Sequence, residues 1–85
     1  MNHWNFAKAI DENETFAIEG LNIWNYNWEC TDKKIEVHDP YEGQLYYFKE
    51  YCIRAGDKTV KFVAGEYSNG KVGIYLRDHL SEGKI

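Results

Sequence analysis

Three large aromatic residues alternate with asparagines in the stretch LNIWNYNWE, residues 21–29. The aromatic residues are Trp24, Tyr26 and Trp28. In a β-strand every second side chain lies on the same face, so the three rings would form one continuous row. Such a row could stack on a sugar or a base, or it could form the inside of the protein. Asn25 and Asn27 would lie on the opposite face, which counts against rings and amides contacting one ligand.

Glu50 is the one acidic residue in an unexpected position. It follows the stretch LYYFK, and strict strand alternation would place its carboxylate on an apolar face. A buried carboxylate without a partner is costly. Two interpretations follow: Glu50 lies in a ligand pocket, or a β-bulge near Lys49 and Glu50 turns it towards solvent.

The remaining reactive side chains form no recognisable catalytic or metal-binding set. The histidines lack the spacing of metal-ligand pairs, and neither serine lies in a nucleophile elbow. Cys30 and Cys52 form no CxxC pair, so we expect two reduced thiols. The sequence therefore predicts a non-enzymatic protein without a metal or cofactor. The histidines are His3, His38 and His79, and the serines are Ser68 and Ser81.

The charge balance argues against two classes of partner. The chain of 85 residues has a formal net charge of −4, whereas nucleic acids and anionic membranes are bound through surplus Lys and Arg. No apolar run approaches the roughly 20 residues that span a membrane. The first residues, MNHWNFAKAIDENE, lack the basic and apolar regions of a signal peptide. We therefore expect a cytoplasmic protein that binds neither nucleic acid nor membrane.

Turn signals divide most of the chain into strands. Asn69-Gly70 predicts a two-residue type I′ hairpin turn, and Gly56-Asp57 predicts a type II′ turn. Pro40 opens a predicted four-residue loop, and Thr31-Asp32 suggests a further even-length turn. Because loops of even length keep facing residues in matched parity, one face can be followed around the whole sheet.

That face predicts the core. It combines Trp24, Tyr26 and Trp28 with apolar residues of the later strands, so the aromatic row is expected to be mainly internal. The alternation fails at Glu50 and again in the apolar run Phe62–Gly65, where we expect bulges or bends. The later core residues are Ile35, Val37, Tyr46, Phe48, Val63, Val72 and Ile74.

The predicted fold is mainly β. It is a small antiparallel meander of five or six strands coiled into a half-open barrel, with a short N-terminal helix or strand. Eighty-five residues are enough for one domain, which we place at residues 1–80. Residues 81–85 have no apolar periodicity and are expected to fray.

The opposite sheet face carries more apolar residues than a solvated face needs. Such a patch usually marks an interface, although the N-terminal segment with Trp4, Phe6 and Ile10 could cover it instead. We therefore expect a protein that associates with itself or with a protein partner. The alternative is small-ligand or carbohydrate binding in a half-barrel lined by Trp24, Tyr26, Trp28 and Glu50. The interface candidates are Leu45, Tyr47, Phe62 and Tyr75.

Overall fold

The computed structural model describes residues 4–77, which form seven β-strands and one short 3-10 helix. The strands are β1 (Trp4–Ile10), β2 (Ala17–Ile18), β3 (Leu21–Asn22), β4 (Glu29–His38), β5 (Leu45–Ala55), β6 (Lys58–Glu66) and β7 (Val72–Arg77), and the 3-10 helix is Ile23–Asn25. The predicted mainly-β fold is confirmed, with a strand at the N-terminal position. The predicted tail at 81–85, and His3, His79 and Ser81, lie outside the described residues. None of the described residues belongs to a helix long and apolar enough to cross a membrane.

Five strands form one antiparallel sheet in the order β1-β7-β6-β5-β4. The sheet curls strongly, because contacts join strands that are not neighbours in it. The Tyr75 hydroxyl on β7 donates a hydrogen bond to the His38 carbonyl on β4 at 3.1 Å. The Phe6 ring on β1 lies edge-on to Tyr41, which follows β4, with ring centroids 6.0 Å apart. Because β1 and β4 do not pair, the barrel is half open, as predicted.

Both faces of the sheet are apolar. The concave face carries the inner cluster, and the convex face carries the outer cluster, which residues 11–28 cover; we call residues 11–28 the cover segment. Consecutive buried residues of β6 therefore alternate between two clusters, and the bend predicted within Phe62–Gly65 is absent. The inner cluster comprises Val37, Phe48, Val63, Tyr67 and Tyr75. The outer cluster comprises Ile10, Phe16, Ile18, Ile23, Ile53, Val60, Phe62, Ala64, Ile74 and Leu76.

Two of the predicted loops are confirmed. Ala55 pairs with Lys58, which leaves the two-residue turn Gly56-Asp57 with Gly56 at φ 64°. The Asp39 amide donates to the Gln44 carbonyl at 2.8 Å, which leaves a four-residue loop, residues 40–43. As expected for loops of even length, they keep the inward-facing residues of β4 and β5 together. These residues are Ile35, Val37, Tyr46 and Phe48.

The hairpin between β6 and β7 differs from the prediction by one residue. The Tyr67 amide donates to the Lys71 carbonyl at 2.9 Å, and the Gly70 amide donates to the Tyr67 carbonyl at 3.0 Å. With Gly70 at φ 88°, this is a three-residue loop containing a bulge rather than a two-residue turn. Tyr75 therefore pairs with Val63 and joins the inner cluster. A shift of one residue exchanges the faces of all side chains on β7.

The bulge expected in β5 lies in β4 instead. Cys30 pairs with Tyr51 and Lys34 pairs with Lys49, so residues 31–33 lie opposite the single residue Glu50. Asp32, at φ 69°, belongs to this bulge, and the turn predicted at Thr31-Asp32 is therefore wrong. β5 alternates without interruption, which keeps Glu50 on the inner face and fully buried.

The aromatic stretch is not a strand. After the two residues of β3, the 3-10 helix Ile23–Asn25 turns the chain, and residues 26–28 lead into β4. Trp24, Tyr26 and Trp28 pack against the outer cluster. The prediction that they share a face with Ile35 and Phe48 is therefore wrong, because that prediction depended on strand periodicity through residue 28.

Candidate functional site

Asn22 organises the cover segment through its side chain. Its Oδ1 accepts backbone hydrogen bonds from Phe16 at 3.3 Å and from Trp24 at 3.4 Å. Asparagine is a favourable residue at the start of a helical turn because its oxygen satisfies an amide that has no partner within the turn. The Ile23 amide also donates to the Phe16 carbonyl at 3.0 Å. These bonds fix the direction in which the aromatic residues leave the 3-10 helix.

Trp28 anchors the end of the cover segment to the sheet. Its indole nitrogen donates to the Ile23 carbonyl at 2.8 Å. Its ring lies edge-on to Phe62 at a centroid distance of 5.0 Å and 5.5 Å from the Tyr51 ring. The Trp24 ring also contacts Trp28, with ring centroids 4.9 Å apart. Trp28 therefore has a structural role, although it remains partly exposed, as Trp24 and Tyr26 do.

A cleft of about 420 Å³ lies where the cover segment enters β4. We call it the aromatic cleft; it is lined by Trp24, Asn25, Tyr26, Asn27, Glu29 and Arg54. Because the segment is not a strand, its rings and amides border one space instead of lying on opposite faces. One ligand can therefore contact the rings and the amides at the same time, which strand alternation would have prevented.

The charged residues of the aromatic cleft compensate each other. Arg54 Nε donates to Glu29 Oε1 at 3.2 Å, and both side chains remain more than half exposed. The Cys52 thiol also lies 3.9 Å from the same oxygen. The lining residues therefore contribute one positive and one negative charge, and the cleft as a whole is neutral.

Trp24 carries the one buried side-chain nitrogen or oxygen without a hydrogen-bond partner among residues 4–77. This atom, Nε1, is a donor only. A buried donor without an acceptor costs about 1–3 kcal/mol. The described chain thus leaves a donor unsatisfied in one of the residues that line the aromatic cleft.

Glu50 lies in a different pocket, between the open edges of β1 and β4. Its Oε1 accepts a hydrogen bond from the Thr31 hydroxyl at 2.6 Å and lies 3.9 Å from Lys33 Nζ. Its Oε2 lies 3.5 Å from Arg77 Nη2, and the Arg77 guanidinium stacks on the Trp4 ring at 4.5 Å. We call this space of about 360 Å³ the carboxylate pocket; it is lined by Trp4, Lys33, Lys34, Ile35, Glu36, Glu50 and Arg77.

The structure does not bring the four residues of the predicted ligand pocket into one site. The structure brings Trp24 and Tyr26 together at the aromatic cleft, packs Trp28 against Trp24 outside the cleft lining and places Glu50 in the carboxylate pocket. Glu29, Arg54, Thr31 and Arg77 were missed. In the sequence these residues are recognisable only as charged or hydroxyl side chains near the ends of strands. They can be assigned to a site only when the β4 bulge and the pairing register are known.

The four interface candidates do not form one exposed patch. Phe62 is 0% exposed beneath Trp28, and Tyr75 is 4% exposed between Phe6 and Phe48. The N-terminal strand does not lie over them as a separate layer, because β1 extends the sheet beside β7. The remaining two candidates are exposed: Leu45 at 42% and Tyr47 at 64%.

Two tyrosines form a buried hydrogen-bonded pair in the inner cluster. Their hydroxyl oxygens are 2.8 Å apart, and because Tyr75 donates to the His38 carbonyl, Tyr67 must donate to Tyr75. Burial raises the pKa of Tyr67, and donation to Tyr75 raises it further. Burial also raises the pKa of Tyr75, against the opposing effect of the bond from Tyr67. The pair is uncharged at neutral pH. Through the bond from Tyr75 to the His38 carbonyl it connects β7 to β4 across the barrel interior.

No group of three or more His, Cys, Asp and Glu side chains within residues 4–77 is arranged to hold a metal ion. No protein-family model, curated protein or solved structure matches the chain.

Proposed function

We propose that the protein binds a small, neutral, polyhydroxylated ligand in the aromatic cleft. The observation that carries this proposal is the common position of two aromatic rings, two amides and a compensated ion pair around one space. Pockets for small ligands combine apolar and aromatic walls with a few convergent polar groups, and their volumes begin near 300 Å³. The cleft has this composition and about 420 Å³ of space.

The polar groups suit a ligand rich in hydroxyls. Asn25 and Asn27 each offer two donors and one acceptor, while Glu29 accepts and Arg54 donates. Hydroxyl groups both donate and accept, so one sugar-like ring can use all four side chains. The apolar face of such a ring packs on an aromatic side chain. A charged ligand would compete with the existing Glu29–Arg54 pair, whereas a neutral one leaves it intact.

The unsatisfied Trp24 nitrogen supports the same class of ligand. Trp24 lines the cleft and its Nε1 has no partner, so a ligand hydroxyl oxygen that reaches Nε1 could accept its hydrogen bond. Binding would then recover part of the cost of the buried donor.

The test is a titration with neutral mono- and disaccharides, followed by tryptophan fluorescence and by backbone amide shifts. We expect saturable changes at Trp24, Tyr26 and Arg54. The double variant N25A/N27A should weaken binding by about tenfold or more, because each lost hydrogen bond contributes about 1 kcal/mol. Gln44→Ala removes an exposed amide at the far end of β4 and β5 and should leave affinity unchanged. A complete panel that produces no saturable change contradicts the proposal.

A second candidate function is association between copies of the chain through one end of β5. Leu45 and Tyr47 project from the same side of the strand and are its exposed large apolar residues. β5 pairs with β6 only from Lys49 onwards, so this end is bordered by β4 alone within the sheet. Adjacent exposed apolar side chains of this kind favour an interface.

Sedimentation over a range of concentrations tests the second candidate. We expect concentration-dependent dimers that Tyr47→Ser weakens, whereas Tyr41→Ser, which changes an equally exposed tyrosine in the loop, should not. A monomer at all concentrations, or equal behaviour of the two variants, counts against association through this surface.

A further inference from the structure

The carboxylate pocket contains more positive than negative charge. Its described lining residues include three cations, Lys33, Lys34 and Arg77, and two carboxylates, Glu36 and Glu50. This is unusual in a chain whose formal net charge is −4. We infer that the pocket binds a small monocarboxylate with a flat apolar body, at a site separate from the aromatic cleft.

Lys33 is the group that can receive an anion. Glu50 already accepts a short hydrogen bond from Thr31 and lies within 3.5 Å of Arg77. Lys33 is a distant third partner: its ammonium lies 3.9 Å from Glu50, and its side chain is 58% exposed. Lys34 and Glu36 flank Ile35 on β4, and their side chains lie on the opposite face of that strand from Ile35, so their opposite charges leave the balance around Lys33 unchanged. The pocket therefore has an ammonium donor, Lys33, that the described residues satisfy weakly.

Electroneutrality determines the sign of the ligand charge. A ligand that fills the pocket removes water from Lys33 and from the ion pair beneath it. Desolvating a charge is costly unless an opposite charge compensates it. A ligand with one carboxylate supplies that compensation for the surplus ammonium, whereas a neutral ligand leaves it uncompensated and a cation adds to it.

The walls determine the body of the ligand. Trp4 on β1 and Ile35 on β4 provide the apolar surfaces, and the gap between these two unpaired strands provides the entrance. The volume of about 360 Å³ lies within the range of small-ligand sites. A flat ring between Trp4 and Ile35 would direct its carboxylate towards Lys33 at the pocket mouth.

The experiment compares three probes of similar shape against the full chain: phenylacetate, its neutral amide phenylacetamide, and the cation phenethylamine. Chemical shifts of the backbone amides and of the indole N–H groups report the position of binding. We expect phenylacetate to bind at least about tenfold more tightly than the other two, since a hydrogen bond to a charged group exceeds a neutral one by about that factor. The shifts should lie at Trp4, Lys33 and Ile35.

A charge variant isolates the contribution of Lys33. Lys33→Gln should weaken phenylacetate binding by about tenfold, and the matched variant Lys58→Gln, at the distant β5–β6 turn, should not change it. Unchanged amide spectra away from the substitution establish that each variant is folded. Equal affinity for phenylacetate and phenylacetamide, shifts confined to the aromatic cleft, or full binding by Lys33→Gln would each overturn the inference.

Discussion

Glu50 is fully buried, and three side chains stabilise its charge there. Thr31 donates a short hydrogen bond, and Arg77 and Lys33 approach the two carboxylate oxygens. A buried carboxylate is tolerated when it is paired and hydrogen-bonded, and removal of one partner exposes the full desolvation cost. The β4 bulge is what brings two of these partners, at positions 31 and 33, opposite Glu50.

Thr31→Val tests the hydrogen bond to Glu50 with little change in side-chain shape. The variant should lose about 1–3 kcal/mol of unfolding free energy, because a buried charged acceptor loses its closest donor. Urea unfolding monitored by tryptophan fluorescence measures the difference. Thr59→Val makes the same substitution at an exposed position on β6 and should change the free energy by less than about 0.5 kcal/mol. Equal losses in the two variants would contradict the role of Thr31.

The tyrosine pair predicts a loss of stability in alkali. Burial raises the pKa of Tyr67 and of Tyr75 in the folded chain, whereas tyrosines of the unfolded chain titrate near pH 10. The unfolded chain therefore releases these protons first. The stabilisation is fully present below about pH 10 and is lost as the pH rises further.

Urea midpoints measured from neutral pH to about pH 11 test this dependence. Tyr67→Phe should flatten the alkaline decline, while Tyr47→Phe, which changes an exposed tyrosine, should follow the unmodified chain. The two variants separate the buried pair from the lysines, which titrate in the same range. Parallel curves for all three proteins would exclude the pair as the cause.

At the scale of elements, the hairpin of β6 and β7 is packed around two glycines that pair across the strands. Gly65 lies beneath the Phe48 ring, and Gly73 lies beneath Tyr67. A Cβ atom at position 73 would come within 2.5 Å of the Tyr67 ring and hydroxyl. The absence of both side chains creates the space that the inner aromatic residues fill.

Gly73→Ala should destabilise the fold by about 1–3 kcal/mol through overpacking. The clash can be relieved by a smaller side chain above it, so adding Tyr67→Leu should cost less than the sum of the single changes. Unfolding free energies of the two single variants and the double variant provide the comparison. Strict additivity would mean that the alanine does not contact Tyr67.

The faces of the strands could be predicted correctly only where the turn residues are compatible with a single loop length. Gly56-Asp57 and the Pro40 loop had the expected lengths, which correctly grouped Ile35 with Phe48. Asn69-Gly70 fits both a two-residue turn and a three-residue loop ending in a left-handed glycine, and only tertiary packing selects between them. That ambiguity alone placed Tyr75 on the wrong face.

The candidate site was less accessible to sequence reasoning than the fold. Trp24 and Tyr26 were identified as a possible ligand surface, but strand periodicity separated them from their neighbouring amides. Asn22 ends that periodicity by initiating a 3-10 helix. Arg54 could be joined to Glu29 only through a register that includes the β4 bulge.

At the scale of the whole molecule, the central strands connect the two clusters. β6 places Phe62 in the outer cluster and Val63 in the inner one, so loss of the cover segment weakens the same sheet that supports the barrel interior. A domain of this size has a total stability of only about 5–15 kcal/mol. We therefore expect the cover segment to unfold together with the sheet as one cooperative unit.

Trp28→Ala should weaken the whole domain rather than release the cover segment alone. Truncation of a fully buried aromatic residue costs about 3–5 kcal/mol. Trp28 is partly buried, so we expect a loss of up to about that size, to which the lost bond to Ile23 contributes. We expect amides of β1 and of β6 to lose hydrogen-exchange protection together. Tyr47→Ala, at an exposed site, should leave protection unchanged. Faster exchange restricted to residues 11–28 would instead indicate that the cover segment unfolds independently of the sheet.

The close approach of Trp24 and Trp28 also has an optical consequence. Two indoles with centroids 4.9 Å apart and planes inclined by 36° can couple their electronic transitions. Exciton coupling of this kind produces a paired positive and negative band in the circular dichroism spectrum. One of the two chromophores borders the aromatic cleft, so a ligand that rotates its indole would change the spectrum without any added label.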